Sequence, residues 1–335
     1  MEKLLLLSFV LGTVGALGVY RFGDRFGLMD HPSGRSSHVR VTPKGGGVGI
    51  LTAFGMLSLV MQISWLFWLP SILLALLSFL GDRVELSPKL RLALQFFCAF
   101  CLLSAIELPL IVLDSLLGSL VPKAIGGIVL WGIGGIYIVG TANFYNFMDG
   151  INGIAAISGL IAFGFLGIVT RFLGGDAGLG ILAFGLSAAC LGFLPLNIPQ
   201  AKVFMGDVGS ILLGFVFAGL VLWIAKDLTD LACYAGFLFP FYADELITMG
   251  KRIRDKESLT KPHRKHLYQI LANEGQIAHW KISLSYGAVQ VLMSSLFLLA
   301  RPYGLLPVLS IWVTASFIFF FSSLYLNKRY SLLSV

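Results

Sequence analysis

The chain has 335 residues, of which 57% are apolar and only 12% charged, with a mean hydropathy of +0.88 and a formal charge of +7. Soluble domains carry about 25% charged residues, so this composition excludes a soluble fold and indicates an integral membrane protein. The positive charge does not indicate nucleic acid, because the basic residues fall between apolar stretches instead of forming one basic face.

A hydrocarbon core about 30 Å thick takes roughly 17 to 25 helical residues to cross. Cutting the sequence at its charged and proline-rich breaks leaves about eleven stretches, near residues 4–20, 46–63, 65–80, 91–110, 124–141, 153–170, 178–195, 209–226, 231–249, 282–300 and 304–326. The third is short and bounded by Pro70 and Gly81, so ten or eleven crossings are expected. These runs are continuous, not alternating, which excludes a β-barrel. The expected fold is therefore an all-α polytopic membrane bundle forming a single domain over residues 1–335. The first stretch lacks a small-residue cleavage site and reads as a span, not a signal peptide. Cys98, Cys101, Cys190 and Cys233 all lie inside apolar runs and read as packing residues, the Cys98-x-x-Cys101 spacing included. The glycines from Gly126 to Gly135 read as sites of close helix packing.

With this span count, the connections 21–45, 81–91, 142–152, 196–208 and 250–281 and the C-terminal tail fall on one side. Of the 24 Lys and Arg, only Lys3, Lys123, Arg171, Lys226 and Arg301 fall on the other. The excess makes the first side cytoplasmic, with the N-terminus outside and the C-terminus inside.

The unusual polar residues gather in those same loops. Asp82, Asp149 and Asp207 each stand beside glycine at the end of a different span. Any one of them could be a helix cap. Three on one face, with Asn143, Asn146 and Asn152 beside one of them, point instead to carboxylates that meet phosphates through magnesium or manganese. Lys44-Gly45-Gly46-Gly47 lacks Walker spacing, and two readings stay open for it: an anion nest or a flexible helix entry. His263 and His266, at i and i+3, would face the same way on a helix. Zinc would need further ligands, so the cluster His263, Arg264, Lys265 and His266 reads as a diphosphate-binding group. A transporter would be expected to carry acids at span centres, whereas Asp244 and Glu245 lie near the cytoplasmic end of the ninth stretch.

Together these loops resemble the polyprenyl-phosphate N-acetylhexosamine-1-phosphate transferase family. The D-x-P-x-x-R-x-x-H motif and its following P and GG are matched by Asp30, Pro32, Arg35, His38, Pro43, Gly46 and Gly47. N-x-x-N-x-x-D-G-x-x-G is matched by Asn143, Asn146, Asp149, Gly150 and Gly153, and F-x-G-D-x-G-S by Phe204, Gly206, Asp207, Gly209 and Ser210. The resemblance implies transfer of a sugar 1-phosphate from a UDP-sugar to undecaprenyl phosphate with release of UMP. It further implies a multi-pass protein of the bacterial inner membrane, often dimeric, that starts O-antigen or related glycan synthesis and requires Mg2+ or Mn2+. Residue by residue, it implies Asp207 and Asp82 at the metal, and Asp82, Asp149 and Asp207 as the catalytic acids. Lys44, Asn143, Asn146, His263, Arg264 and His266 are then expected to bind substrate.

One position departs from the family pattern. Where the family has Asp-Asp, this chain has Gly81-Asp82, which removes the acid proposed to deprotonate the lipid phosphate and leaves a non-catalytic scaffold as the alternative. The segment His263-Arg-Lys-His266-Leu-Tyr268-Gln269 resembles the H-R-x-H-x-Y-Q of members that use UDP-FucNAc or UDP-QuiNAc, with UDP-GlcNAc the competing donor.

Overall fold

The computed structural model describes residues 1–32, 37, 40–81, 87–106, 123–258 and 263–331, with residues 123–126 and 331 described by backbone alone. Through the first half of the chain run α1 (Glu2–Phe22), α2 (Val48–Val60), α3 (Trp65–Gly81), α4 (Pro88–Leu103), α5 (Lys123–Phe147) and α6 (Ile154–Phe172). The second half holds α7 (Ala177–Phe193), α8 (Asp207–Ile224), α9 (Leu228–Ala235), α10 (Phe239–Arg254), α11 (Leu267–Asn273), α12 (His279–Ala300) and α13 (Leu305–Ser331). The remaining regular structure is a two-residue antiparallel pairing of Met29–Asp30 with Thr42–Pro43 and a few single turns of 3-10 helix. Each expected apolar stretch contains helix, and the chain is a polytopic helical membrane protein.

Seven of the helices are individually long and apolar enough to cross a bilayer, while Val48–Val60 and Trp65–Gly81 are apolar but shorter. The ninth stretch is the main departure from expectation. It is not one helix but α9, a 3-10 turn at Gly236–Leu238, and α10. Pro240 has no N–H to give and its ring crowds the carbonyl four residues back, which favours a break here, although α3 runs on through Pro70. Backbone groups freed inside a membrane must find another partner. Gln290 of α12 supplies one, its Nε2 donating to Phe237 O at 2.8 Å and to Ser158 O at 3.0 Å.

α8 forms the centre of the bundle: every residue from Val208 to Leu222 is buried, as expected for a helix apolar on all sides. At the periphery, α13 and the outer faces of α1 and α5 expose large apolar side chains such as Val14, Ile136, Phe317 and Phe321, the surface a lipid phase accepts. The close packing falls elsewhere than expected. A Cβ on Gly127 or Gly132 would meet nothing within 4 Å, and those on Gly134 and Gly135 would meet the side chains of Leu103 and Phe100. The backbones touch instead at α1, where a Cβ on Gly12 would lie 2.2 Å from Ala189 O of α7, and one on Gly15 2.3 Å from Gly49 Cα of α2. The four cysteines are unpaired thiols.

Candidate active site

One polar cleft of about 360 Å³ is lined by residues from four of the five predicted loops. Asp30, Ser37 and Lys44 come from the first, Asn146, Asp149 and Asn152 from the third, Asn197, Phe204 and Asp207 from the fourth, and His263, Gln269 and His279 from the last. Asp82 lies outside the described residues, as do Arg35 and His38. The second loop nonetheless reaches a cleft residue, Asp207, through Arg91 in the first turn of α4.

Asp207 is the first residue of α8, and its carboxylate makes no cap bond to its own helix. Its acceptors are turned outward: Asn146 Nδ2 donates to Oδ1 at 2.9 Å, and Arg91 Nη1 donates to Oδ2 at 3.3 Å. The helix start favours a negative charge here. The capping reading therefore fails for Asp207. It fails for Asp149 too, since the N-cap of α6 is Gly153, at φ +88°, whose N–H donates to Asn197 Oδ1 at 2.6 Å.

Each oxygen of Asp207 accepts one hydrogen bond and keeps a second lone pair, and Asp149 and the Asn146 amide share the cleft. Magnesium takes one or two carboxylates, with water and substrate phosphates completing its shell, so this donor set fits the ion. Among the described residues there is no group of three or more His, Cys, Asp or Glu that could hold a metal by itself.

Residues 64–225 match Glycosyl transferase family 4. Over 280 residues the chain is 30% identical to the undecaprenyl-phosphate alpha-N-acetylglucosaminyl 1-phosphate transferase of Thermotoga maritima, covering 83% of this chain and 82% of the relative. The chain belongs to glycosyl transferase family 4. The transferase is also 34% identical over 264 residues to a phospho-N-acetylmuramoyl-pentapeptide-transferase of Synechococcus, covering 72% of this chain and 73% of the other. The Escherichia coli K12 protein with the same name as the Thermotoga one is 26% identical over 288 residues, covering 81% and 76% of the two chains.

Not every expected substrate contact of the transferase reaches the cleft. Asn143 stands one turn before Asn146 and is engaged with Gln95 of α4, donating to its Oε1 at 2.7 Å and accepting from its Nε2 at 3.3 Å. That pair ties α5 to α4 beneath the site. Arg264 lines a neighbouring depression with Asn273 and Gln276 that shares Ser37 and His279 with the main cleft.

His266 corrects a further expectation. The segment 263–265 is not helical, so the two imidazoles do not project together, although their rings lie 4.8 Å apart. His263 lines the cleft, whereas His266 is 1% exposed, stacked on Tyr268 and held between Asp244 and Glu245. Burial opposes its charge, but the neighbouring carboxylates of Asp244 and Glu245 outweigh it and hold its pKa above the ordinary histidine value. His263 is moved the other way, pushed down to about 4 by burial and by the charges of His266 and Arg252.

The glycine run is not an anion nest. The N–H groups of Gly45 and Gly46 donate to Phe204 O and that of Gly47 to Met205 O, at 3.1, 2.9 and 2.9 Å. A Cβ at Gly47 would sit 2.5 Å from Gly209 Cα, so the run exists to let two loops meet. What remains at the cleft is the Lys44 side chain.

Sequence reasoning passed over Asn197, His279 and the site-facing role of Arg91, and gave Gln269 only its place in a family motif. Asn197 gives its oxygen to Gly153 and its nitrogen to Val203 O at 2.8 Å, clamping two cleft loops together. His279 Nδ1 accepts from the Asn152 N–H at 3.4 Å while Ser283 donates to Asn152 O at 2.8 Å. Such residues act on partner backbone, and no motif spacing announces them.

Proposed function

We propose that the cleft transfers a sugar 1-phosphate from a UDP-N-acetylhexosamine to undecaprenyl phosphate, releasing UMP, and that it faces the cytoplasm of a bacterial inner membrane. The observation that carries this reading is the convergence of Asp207, Asn146, Asp149, Lys44 and His263 on one polar cleft at one end of a membrane bundle. The names of the Thermotoga and Escherichia coli relatives support the acceptor. The Lys and Arg excess in the loops around the cleft supports the orientation.

The lipid phosphate has a second pKa near 6 and is largely dianionic at neutral pH. One of its oxygens attacks the β-phosphorus of the donor, the bridging oxygen leaves with the α-phosphorus as UMP, and a new diphosphate links lipid and sugar. No protein base is needed, which suits a chain with Gly81 where the family has the first acid. Magnesium would be held by Asp207, with Asp82 as the second ligand the resemblance implies and Asp149 in the same cleft, and would supply neutralising charge on the diphosphate. Lys44 offsets charge on the phosphates, Arg91 pairs Asp207 and adds a second cation at its edge, and Asn146 aims the Asp207 carboxylate.

For the donor, the segment from His263 to Gln269 supports a 6-deoxy sugar, UDP-FucNAc or UDP-QuiNAc, and the names of the relatives support UDP-GlcNAc. UMP release from undecaprenyl phosphate and Mg2+, with the three donors offered in parallel and Asp207→Asn as control, decides among them. Release with one sugar, lost in the variant, is the expected result. Folded protein releasing no UMP from any donor would count against transfer and favour a scaffold.

A further inference from the structure

Beneath the cleft, and not lining it, lies a cluster of buried charge: Asp244, Glu245, Arg252 and His266 are 1%, 2%, 3% and 1% exposed. Buried charges are costly unless paired and hydrogen-bonded, so a cluster like this is kept in place by a demanding geometry. Asp244 is its hub. It accepts from the Leu267 N–H at 2.9 Å and the Tyr286 hydroxyl at 2.8 Å, with longer bonds from the Tyr268 N–H and Thr248 at 3.4 Å. His266 Nδ1 stands 3.8 Å from the same carboxylate, and its Nε2 3.3 Å from Glu245.

These contacts join three elements. Asp244 and Thr248 belong to α10, Tyr286 to α12, and Leu267 opens α11, whose N-terminal amides the carboxylate receives. The segment carrying His263 and Gln269 to the cleft is therefore fastened at its middle by one side chain that never reaches the cleft. His266 in turn places its imidazole ring 4.8 Å, ring to ring, from His263. His263 itself lines the cleft, and its Nδ1 is buried and has no hydrogen-bond partner among the described residues.

We propose that Asp244 is a positioning residue for transfer, acting through His266 to fix both the place and the uncharged state of His263 at the edge of the cleft. An uncharged imidazole can donate one hydrogen bond and accept another, as recognition of a sugar hydroxyl or amide requires. The groups facing His263 are His266, Arg252 and Lys265, which oppose its protonation, and Glu257, which favours it. Asp30, Asp149, Asp207, Lys44 and His279 share its cleft. With Asp244 in place, the charged form of His266 is favoured, and that weighs against a second positive charge beside it. The role assigned to His263 rests on the cleft being the transfer site, whereas the control of its charge does not.

The chain has five histidines, so selectively labelled imidazoles can be followed by NMR and His263 assigned with His263→Gln. In the intact protein without substrate, His263 is expected to titrate at about 4. In Asp244→Asn it should titrate higher, because His266 loses one of the two carboxylates that favour its charge. Tyr286→Phe removes one hydrogen bond from Asp244 but no charge, and should leave the titration where it was. Should Asp244→Asn not fold, His266→Gln removes the same charge and must produce the same rise. An unmoved His263 titration in either folded variant overturns the proposal. The titration needs no turnover, so its outcome stands apart from whether UMP is released.

Discussion

The Asn146 amide nitrogen lies 2.9 Å from Asp207 Oδ1 and 2.9 Å from Ser210 Oγ, so a neutral side chain at the end of α5 aims the carboxylate at the start of α8. Asn146→Asp would set a second negative charge against Asp207 and lose the donor. UMP release should fall by about a hundredfold or more, equivalent to about 2.7 kcal/mol, with a raised Mg2+ requirement. Asn146→Ala should cost less than Asn146→Asp. Equal losses in the two variants would argue against this charge placement.

Arg91 and Asp207 form a half-exposed pair, with side chains 38% and 24% exposed. Such pairs contribute about 0–1 kcal/mol to stability. Arg91→Gln should therefore leave the unfolding midpoint nearly unchanged while lowering kcat/KM by about ten- to a hundredfold through lost charge at the phosphates. A large stability loss with normal kinetics would make the pair structural.

Close backbone contact gives a steric prediction. In Gly47→Ala the new Cβ would lie 2.5 Å from Gly209 Cα and 2.7 Å from Gly209 N, and backbone cannot rotate away as a side chain can. The variant should lose about 1–3 kcal/mol, read as a lower unfolding midpoint in detergent. Gly18→Ala, whose Cβ would meet nothing within 4 Å, is the matched control.

His266 has a raised pKa in the folded protein, so its contribution to stability is complete below the unfolded value of about 6.5 and is lost as pH rises through the folded value. His263 works oppositely. Its lowered value of about 4 contributes above about 6.5, and that contribution is lost as pH falls through about 4. The unfolding midpoint should decline on both flanks. His266→Gln should lack the alkaline decline, as circular dichroism melts across pH would reveal.

Gly81 closes α3, beside the segment that carries Asp82. If the lipid phosphate needs no base, Gly81→Asp should leave turnover within about tenfold, and turnover in the unaltered protein should fall below about pH 6, where the phosphate takes up a proton. A gain of several orders of magnitude would sink the base-free account. Chelating the divalent ion should abolish UMP release in both proteins.

The helical bundle and its polar end were readable because composition and run length respond directly to the bilayer, and the gathering of Asp207, Asn146, Asp149, Lys44 and His263 at one place was readable from their loops falling on one side. Packing was not. Gly12, Gly15 and Gly49 touch backbone only because α1 lies against α7 and α2, and which helices become neighbours is a property of topology that no local pattern encodes. Pro240 carried the signal for the broken ninth stretch, yet its repair by Gln290 comes from a residue far along the chain. Asn197 and Asp244 were missed because their work is done on backbone amides, which any residue type provides. His266 was misassigned because i, i+3 spacing has directional meaning only on a helix, and its helix begins one residue later.

The three amides of Gly45, Gly46 and Gly47 are all given to the carbonyls of Phe204 and Met205, and Phe204 in turn donates to Pro43 O at 2.8 Å. The walls that carry Lys44 and Asp207 are thus stitched into one rigid body. A larger sugar cannot be admitted by prising those walls apart without breaking several hydrogen bonds at once. Tolerance toward bulkier donors is then left to the other segments that line the cleft, 146–152 and 263–279, and exchanges there should widen the donor range of the transferase where exchanges at 43–47 or 203–206 would chiefly cost stability.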